Sequence, residues 1–270
     1  MTSSFCLREW FPYEKIDWNN LSQNPSDGAV ELLLENKNKI NWVIFSKNPN
    51  NMVFEYFNEN KDKISWLALN LNSNNKAIEL LKLHDKDIKW LLSYMREDGF
   101  DYSSERRIEW DWMCENNCDS AVELLLQNPL NIDWEIFSSN NNDIAVDYIL
   151  QNIDSINWST LSINSNLRII ELISQNLDKI DWEYLSANIN AIHILIEHPE
   201  FICWENFSLN EHDMAIEMLL ANQDKINWHN LSMNKNVLLI DLFIENQDKL
   251  SWSILSENPI IFECIGYELK

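Results

Sequence analysis

Glycine is almost missing from this chain, with three residues in 270. A glycine-rich loop cradling phosphate is therefore excluded, and turns must be built from Asn and Asp. Basic residues are scarce too: 20 Lys and Arg stand against 43 Asp and Glu, a formal net charge of −23 and a pI near 4.4. A field of that sign repels nucleic acid and anionic membranes and favours basic partners. No run of 18 apolar residues exists, and residues 1–6 lack the basic and apolar regions of a signal peptide. The expectation is a soluble intracellular protein that touches neither membrane nor nucleic acid directly.

Reactive groups are equally sparse. Cys114 replaces a recurrent Ser, Cys203 precedes a Trp and Cys264 lies in the last apolar run. Such cysteines are substitutions within a pattern and not a disulfide framework. The five His show no metal-ligand spacing, and Cys114-x-x-x-Cys118 lacks a second pair to complete a zinc site. The recurrent Ser residues share one repeat position, which marks a local hydroxyl and not a nucleophile. No cofactor or metal is expected, and the chain reads as a non-enzyme.

What is present is repetition. The stretch Lys39-Ile40-Asn41-Trp42-Val43-Ile44-Phe45-Ser46-Lys47-Asn48-Pro49 recurs as Ile-x-Trp-x-x-(Leu/Phe)-Ser-x-Asn, followed by an apolar run of the type Ala-Ile-Glu-Leu-Leu and another Asn. Copies are marked by Trp18, Trp42, Trp66, Trp90, Trp110, Trp134, Trp158, Trp182, Trp204, Trp228 and Trp252. All intervals are 24 residues except Trp90 to Trp110, which is 20, and Trp182 to Trp204, which is 22. A fixed period of this length is the mark of a solenoid.

Each copy divides into two short helices. The residue before Trp is usually Asp, Asn or Ser, an N-cap type. Asn ends each helix, which suggests the left-handed conformation common at helix C-termini. A leucine-rich repeat would need a Leu-x-Leu strand before its Asn, and that pattern is missing. The expected fold is all-α, a solenoid of about eleven helix pairs with a period of 22–24 residues. Residues 1–17 are expected to cap it, 18–89 to form regular repeats and 90–109 a degenerate one. Residues 110–251 would resume the array, and 252–270 would be a C-terminal capping repeat. Stacked at helix-packing distance, the units would make a rod roughly 100 Å long.

Copies such as Trp182-Glu183-Tyr184-Leu185-Ser186-Ala187-Asn188-Ile189-Asn190-Ala191-Ile192 resemble the tandem Trp-x-x-Leu-Ser-x-Asn-Pro-x-Ala-Ile repeats of giant DNA viruses of protists. The likeness covers nearly the whole chain. It implies a viral repeat protein, in the cytoplasm of an infected cell or in the particle, with a role in protein interaction and no catalytic residues to carry over.

Three features rise above scaffold. The first is an acidic column, Glu31, Glu55, Glu79, Glu123, Asp147 and Glu171, continued at Glu217 and Asp241. It is either a solubilising face or a rail for a basic partner. A column of lysines three before Trp (Lys15, Lys39, Lys63, Lys179, Lys225, Lys249) would partly neutralise it. The second is the irregular segment carrying Tyr94, Arg96, Phe100, Tyr102, Arg106 and Arg107, whose composition is that of a binding hot spot or of a decayed repeat. The third is the variable pair after Trp, apolar at Val43, Leu67 and Trp112. These residues would form a patch over units two to six that binds a partner or a second copy of the chain, or would pack between units. The expected function is a non-enzymatic interaction scaffold or adaptor. Alternatives are an acidic decoy for a nucleic-acid-binding protein and a structural component of a particle.

Overall fold

The computed structural model describes residues 4–83 and 109–265. The fold is an all-α repeat solenoid. A unit opens with one turn of helix beginning at Trp, as in Trp42–Phe45. A second helix of about two turns follows, as in Asn51–Glu59. A 3-10 turn, Lys61–Lys63, then leads to the next Trp. Among the described residues ten helices start at a repeat Trp: 18, 42, 66, 110, 134, 158, 182, 204, 228 and 252. No described helix is long and apolar enough to cross a membrane.

Helix starts follow the sequence. Asp17, Asn41, Ser65, Asp133, Asn157, Asp181 and Asn227 accept backbone N–H bonds as N-caps, whereas Ser251 holds that place without making the bond. The Asn stops differ from expectation. At the end of the second helix Asn36, Asn60, Asn152 and Asn222 have φ between −119° and −133°, so none is left-handed. Each instead turns its side-chain amide back onto a carbonyl four residues earlier, as Asn36 does to Leu32. This satisfies a helix-end acceptor without glycine.

The Asn after the first helix has a larger task. Asn48 is fully buried. Its Nδ2 donates to the Ser22 and Asn24 carbonyls of the preceding unit, at 3.1 and 2.9 Å, while its Oδ1 accepts from the Asn50 N–H. The same bridge repeats at Asn72, Asn116, Asn140, Asn164, Asn188, Asn210, Asn234 and Asn258, with distances of 2.8 to 3.2 Å. A parallel set of bonds runs through the buried Ser. Ser22 Oγ donates to the Trp18 carbonyl and accepts the Asn41 N–H of the next unit. Cys114 Sγ and Asn70 Oδ1 accept in the same way where Ser is replaced.

These bonds overturn the rod. Asn24 donates to the Ser256 carbonyl and the Asp17 N–H donates to Ser256 Oγ, so the last unit stands before the first as any unit stands before its successor. The chain ends complete the joint. Strand β1 (Ser4–Leu7) pairs antiparallel with β2 (Phe262–Ile265). Arg8 donates to the Ile260 carbonyl and pairs with Glu263 at 2.8 Å. Phe11 meets Trp252 edge-on at 5.5 Å. The segment expected to cap an open end therefore supplies part of the tenth unit, whose second helix is replaced by the strand pair. The solenoid is a closed ring.

Ten of the expected units stand among the described residues. Asn116 donates to the Asn70 and Asn72 carbonyls, and the Glu109 N–H to Asn70 Oδ1. The Trp110 unit thus follows the Trp66 unit directly. Trp90 lies outside the described residues. The short interval from Trp182 is absorbed ahead of the second helix: the bridging Asn188 itself caps the 3-10 turn Ile189–Ala191 that opens it, whereas the Trp228 unit bridges with Asn234 and caps with Asn236, and the Asn210 bridge is kept.

Closure has a geometric cause. Asn bridges hold the inner backbones about 5 Å apart, the spacing of directly hydrogen-bonded chains, while helices outside them need about 8–10 Å. Ten units sharing a full turn rotate by roughly 36° each, which puts those spacings at radii of about 8 Å and about 13–16 Å. The difference, about 5–8 Å, approaches one helix-packing distance at its upper end, so the wedge can fill. The rod estimate took one spacing for both sides.

Buried Leu or Phe three after most repeat Trp (Leu21, Phe45, Phe137, Leu161, Phe207, Leu231), Met113 after Trp110, and the Ala-Val and Ala-Ile runs form one continuous core. The repeat Trp are only half-buried at its border.

Two outcomes test this architecture. Small-angle scattering should give a radius of gyration of about 18–20 Å, against about 30 Å for a rod roughly 100 Å long. Asn164→Ala strands two buried carbonyls and an N–H and should cost roughly 3 kcal/mol or more. Ser162→Ala strands chiefly the Asp181 N–H and should cost about 1–3 kcal/mol, both read from denaturant unfolding.

Candidate interaction surfaces

The second helix turns its Ala, Val, Ile and Leu inward, and the acidic residue between them faces out. Glu55, Glu79, Glu123, Asp147 and Glu171 are exposed and Glu31 is half-buried. The units from Trp18 to Trp158 are consecutive in the ring, so these six carboxylates form an unbroken run, with Glu217 and Asp241 exposed further round. Of the six, Asp147 alone has an ion pair among the described residues, to Arg168 at 2.6 Å. Both partners are half-exposed, so it adds little stability.

The lysine column does something other than neutralise that run. Five of its six lysines lie over the indole of the preceding unit. Lys39 sits over Trp18 at 5.8 Å, Lys63 over Trp42 at 5.0 Å, Lys179 over Trp158 at 4.7 Å, Lys225 over Trp204 at 4.3 Å and Lys249 over Trp228 at 4.7 Å. Phe201 takes the same place and stacks on Trp182 at 4.6 Å. The repeat Trp is thus a joint between units, held by dispersion below and by a cation or ring above. The three-residue offset was visible in the sequence; which ring the lysine would meet was not, because the partner lies one period back.

The apolar patch is smaller than expected. Val43 and Leu67, one after Trp, are exposed in adjacent units, but Asp111 and Glu135 take that place in the next two. Residues two after Trp point toward neighbouring units: Ala68 is buried, and Ile44, Trp112 and Ile136 are half-buried. Tyr94, Arg96, Phe100, Tyr102, Arg106 and Arg107 lie outside the described residues. Among the described residues no three His, Cys, Asp or Glu side chains group to hold a metal ion.

Closure creates a feature that unit-by-unit reading missed, a cavity on the ring axis of about 530 Å³. Its wall includes the variable residue before the bridging Asn from units on both sides of the joint, among them Lys47, Leu71, Leu209, Met233 and Glu257, together with residues just after that Asn such as Pro25 and Pro49. A further 350 Å³ continues it past Gln23 and Lys47 to Glu115. Burial pushes the Glu257 carboxyl above its ordinary 4.5, against the pull of the Lys235 and Lys47 ammonium groups. Burial likewise pushes the Cys114 and Cys118 thiols up, which keeps them protonated and unreactive.

Comparison with protein-family models, with curated proteins and with solved structures finds no match for this chain.

A carboxyl whose folded value is raised opposes folding once it ionises. The penalty is absent below the unfolded value and complete above the folded one. Glu257→Gln should therefore raise the melting temperature at pH 7.5, with the gain disappearing below pH 4.5, the ordinary glutamate value. Paired thermal melts across that range check the sign.

Proposed function

We propose that this chain is a non-enzymatic interaction platform, a ring whose acidic outer wall receives a basic surface of a protein partner. The observation that supports this most is the run of carboxylates from Glu31 to Glu171. Among the described residues only Asp147 of this run has an ion pair, and Lys39, Lys63 and Lys179 are engaged over Trp rings. Like charges at such spacing repel only modestly at physiological salt. A Lys- or Arg-rich partner relieves that repulsion and is drawn in by the field of a chain with net charge −23. The resemblance to giant-virus repeat proteins favours a viral setting, with the partner from virus or host.

The test compares the native chain with one carrying Glu55→Gln, Glu79→Gln, Glu123→Gln and Glu171→Gln in affinity capture with mass spectrometry. A basic partner should be held by the native ring and weakened about tenfold or more in the variant. Recovery of the same partners by both would reduce the acidic run to a solubilising face. Competition by DNA for a captured partner would turn the reading to a decoy for a nucleic-acid-binding protein.

A further inference from the structure

The ring carries its own record of what its Trp faces bind. At Trp42 the indole stacks on Tyr56, with centroids 5.6 Å apart and planes at 18°. The pair lies between two ammonium groups: Lys63 stands over Trp42 at 5.0 Å and Lys37 over Tyr56 at 5.3 Å. At Trp134 the aromatic pair is rebuilt, with Tyr148 at 5.9 Å and 10°. Phe137 stands edge-on to Trp134 as Phe45 does to Trp42. The cations are not rebuilt. The residue matching Lys63 is Ser155, and the residue matching Lys37 is Pro129.

The backbone that presents the missing lysine is unchanged. Ser155 N–H bonds to the Asn152 carbonyl at 2.9 Å, as Lys63 N–H bonds to that of Asn60 at 3.0 Å. Ser155 is exposed, too short to cover the ring and without charge. The flanking turns also change character. Leu130 is wholly exposed and Ile153 is 44% exposed, where the turns before and after the Trp42 helices have Asn38 and Lys61. An aromatic face with exposed aliphatic neighbours, next to the acidic run at Glu123 and Asp147, suits a long side chain with an apolar stem and a cationic head.

We propose that the Trp134–Tyr148 pair is a docking site for a lysine side chain of a basic protein partner, whose ammonium takes the place Lys63 holds over Trp42. The site rests on the reading of the ring as a platform for basic proteins and names where on it a partner is anchored.

The test uses an oligolysine peptide and three forms of the protein: native, Ser155→Lys and Gln151→Lys. Ser155→Lys supplies the missing cation from within, and its melting temperature should match or exceed the native one. Gln151→Lys, on an exposed position at the end of the preceding helix, adds the same charge elsewhere. The peptide should shift the Trp134 indole N–H resonance, assigned with Trp134→Phe. Calorimetry should show it binding roughly two- to fivefold more weakly to Ser155→Lys than to Gln151→Lys. Equal binding to both lysine variants, or an unmoved Trp134 resonance, would overturn the site while leaving the acidic wall as a binding surface. Failure of the native ring to bind the peptide at all would overturn both.

Discussion

The ring depends on one buried side-chain amide, doubly bonded to the preceding unit at nine described positions and singly at Asn24. Asn is the residue type that can donate twice and accept once from a short stem, and here its two N–H groups close the carbonyls of the previous unit while its oxygen fixes the next turn. Because these groups are buried, any unit that lost the bridge would strand backbone polar atoms away from water. The same bonds set the inner spacing, which is smaller than helices outside them tolerate. Curvature is therefore a result of hydrogen-bond geometry on one side and helix bulk on the other.

Repeat positions, helix starts and the outward-facing acids were legible in the sequence because each depends on neighbours within one period. Trp42, Asn41 and Glu55 declare themselves through spacing and capping chemistry alone. The roles of Asn48 and Ser46 were misjudged or half seen for the opposite reason: their partners sit 19 to 26 residues away. A local explanation, a left-handed turn or a helix-side hydroxyl, was available and incomplete. Closure was less legible still. Nothing in Arg8 or Phe11 alone indicates Ile260 and Trp252 as neighbours, and the wedge angle that brings them together is a sum over all units. The axial cavity follows from closure, so its lining residues looked like unremarkable variable positions.

The surface divides by the same logic. Where the repeat is complete, lysine, tryptophan and tyrosine satisfy one another within the ring, as at Trp42. Where a unit departs from the pattern, as at Ser155 and Pro129, the framework is kept and one partner is lost. Such local inconsistency within an otherwise consistent sequence is where function is most naturally sought.

An open solenoid loosens from its ends, because a terminal unit has one neighbour and separates by breaking one interface. Among the described residues there is no such unit. The Trp252 unit faces the Trp18 unit across contacts whose partners are more than 230 residues apart in sequence, and every described unit has two neighbours. Local opening must therefore break two interfaces together, and the joint can form only after the chain between its halves has taken its curvature. Such a ring gains cooperativity from its shape. It should fold slowly in its final step and, once shut, exchange its backbone amides without the gradient from ends to middle that marks a linear array.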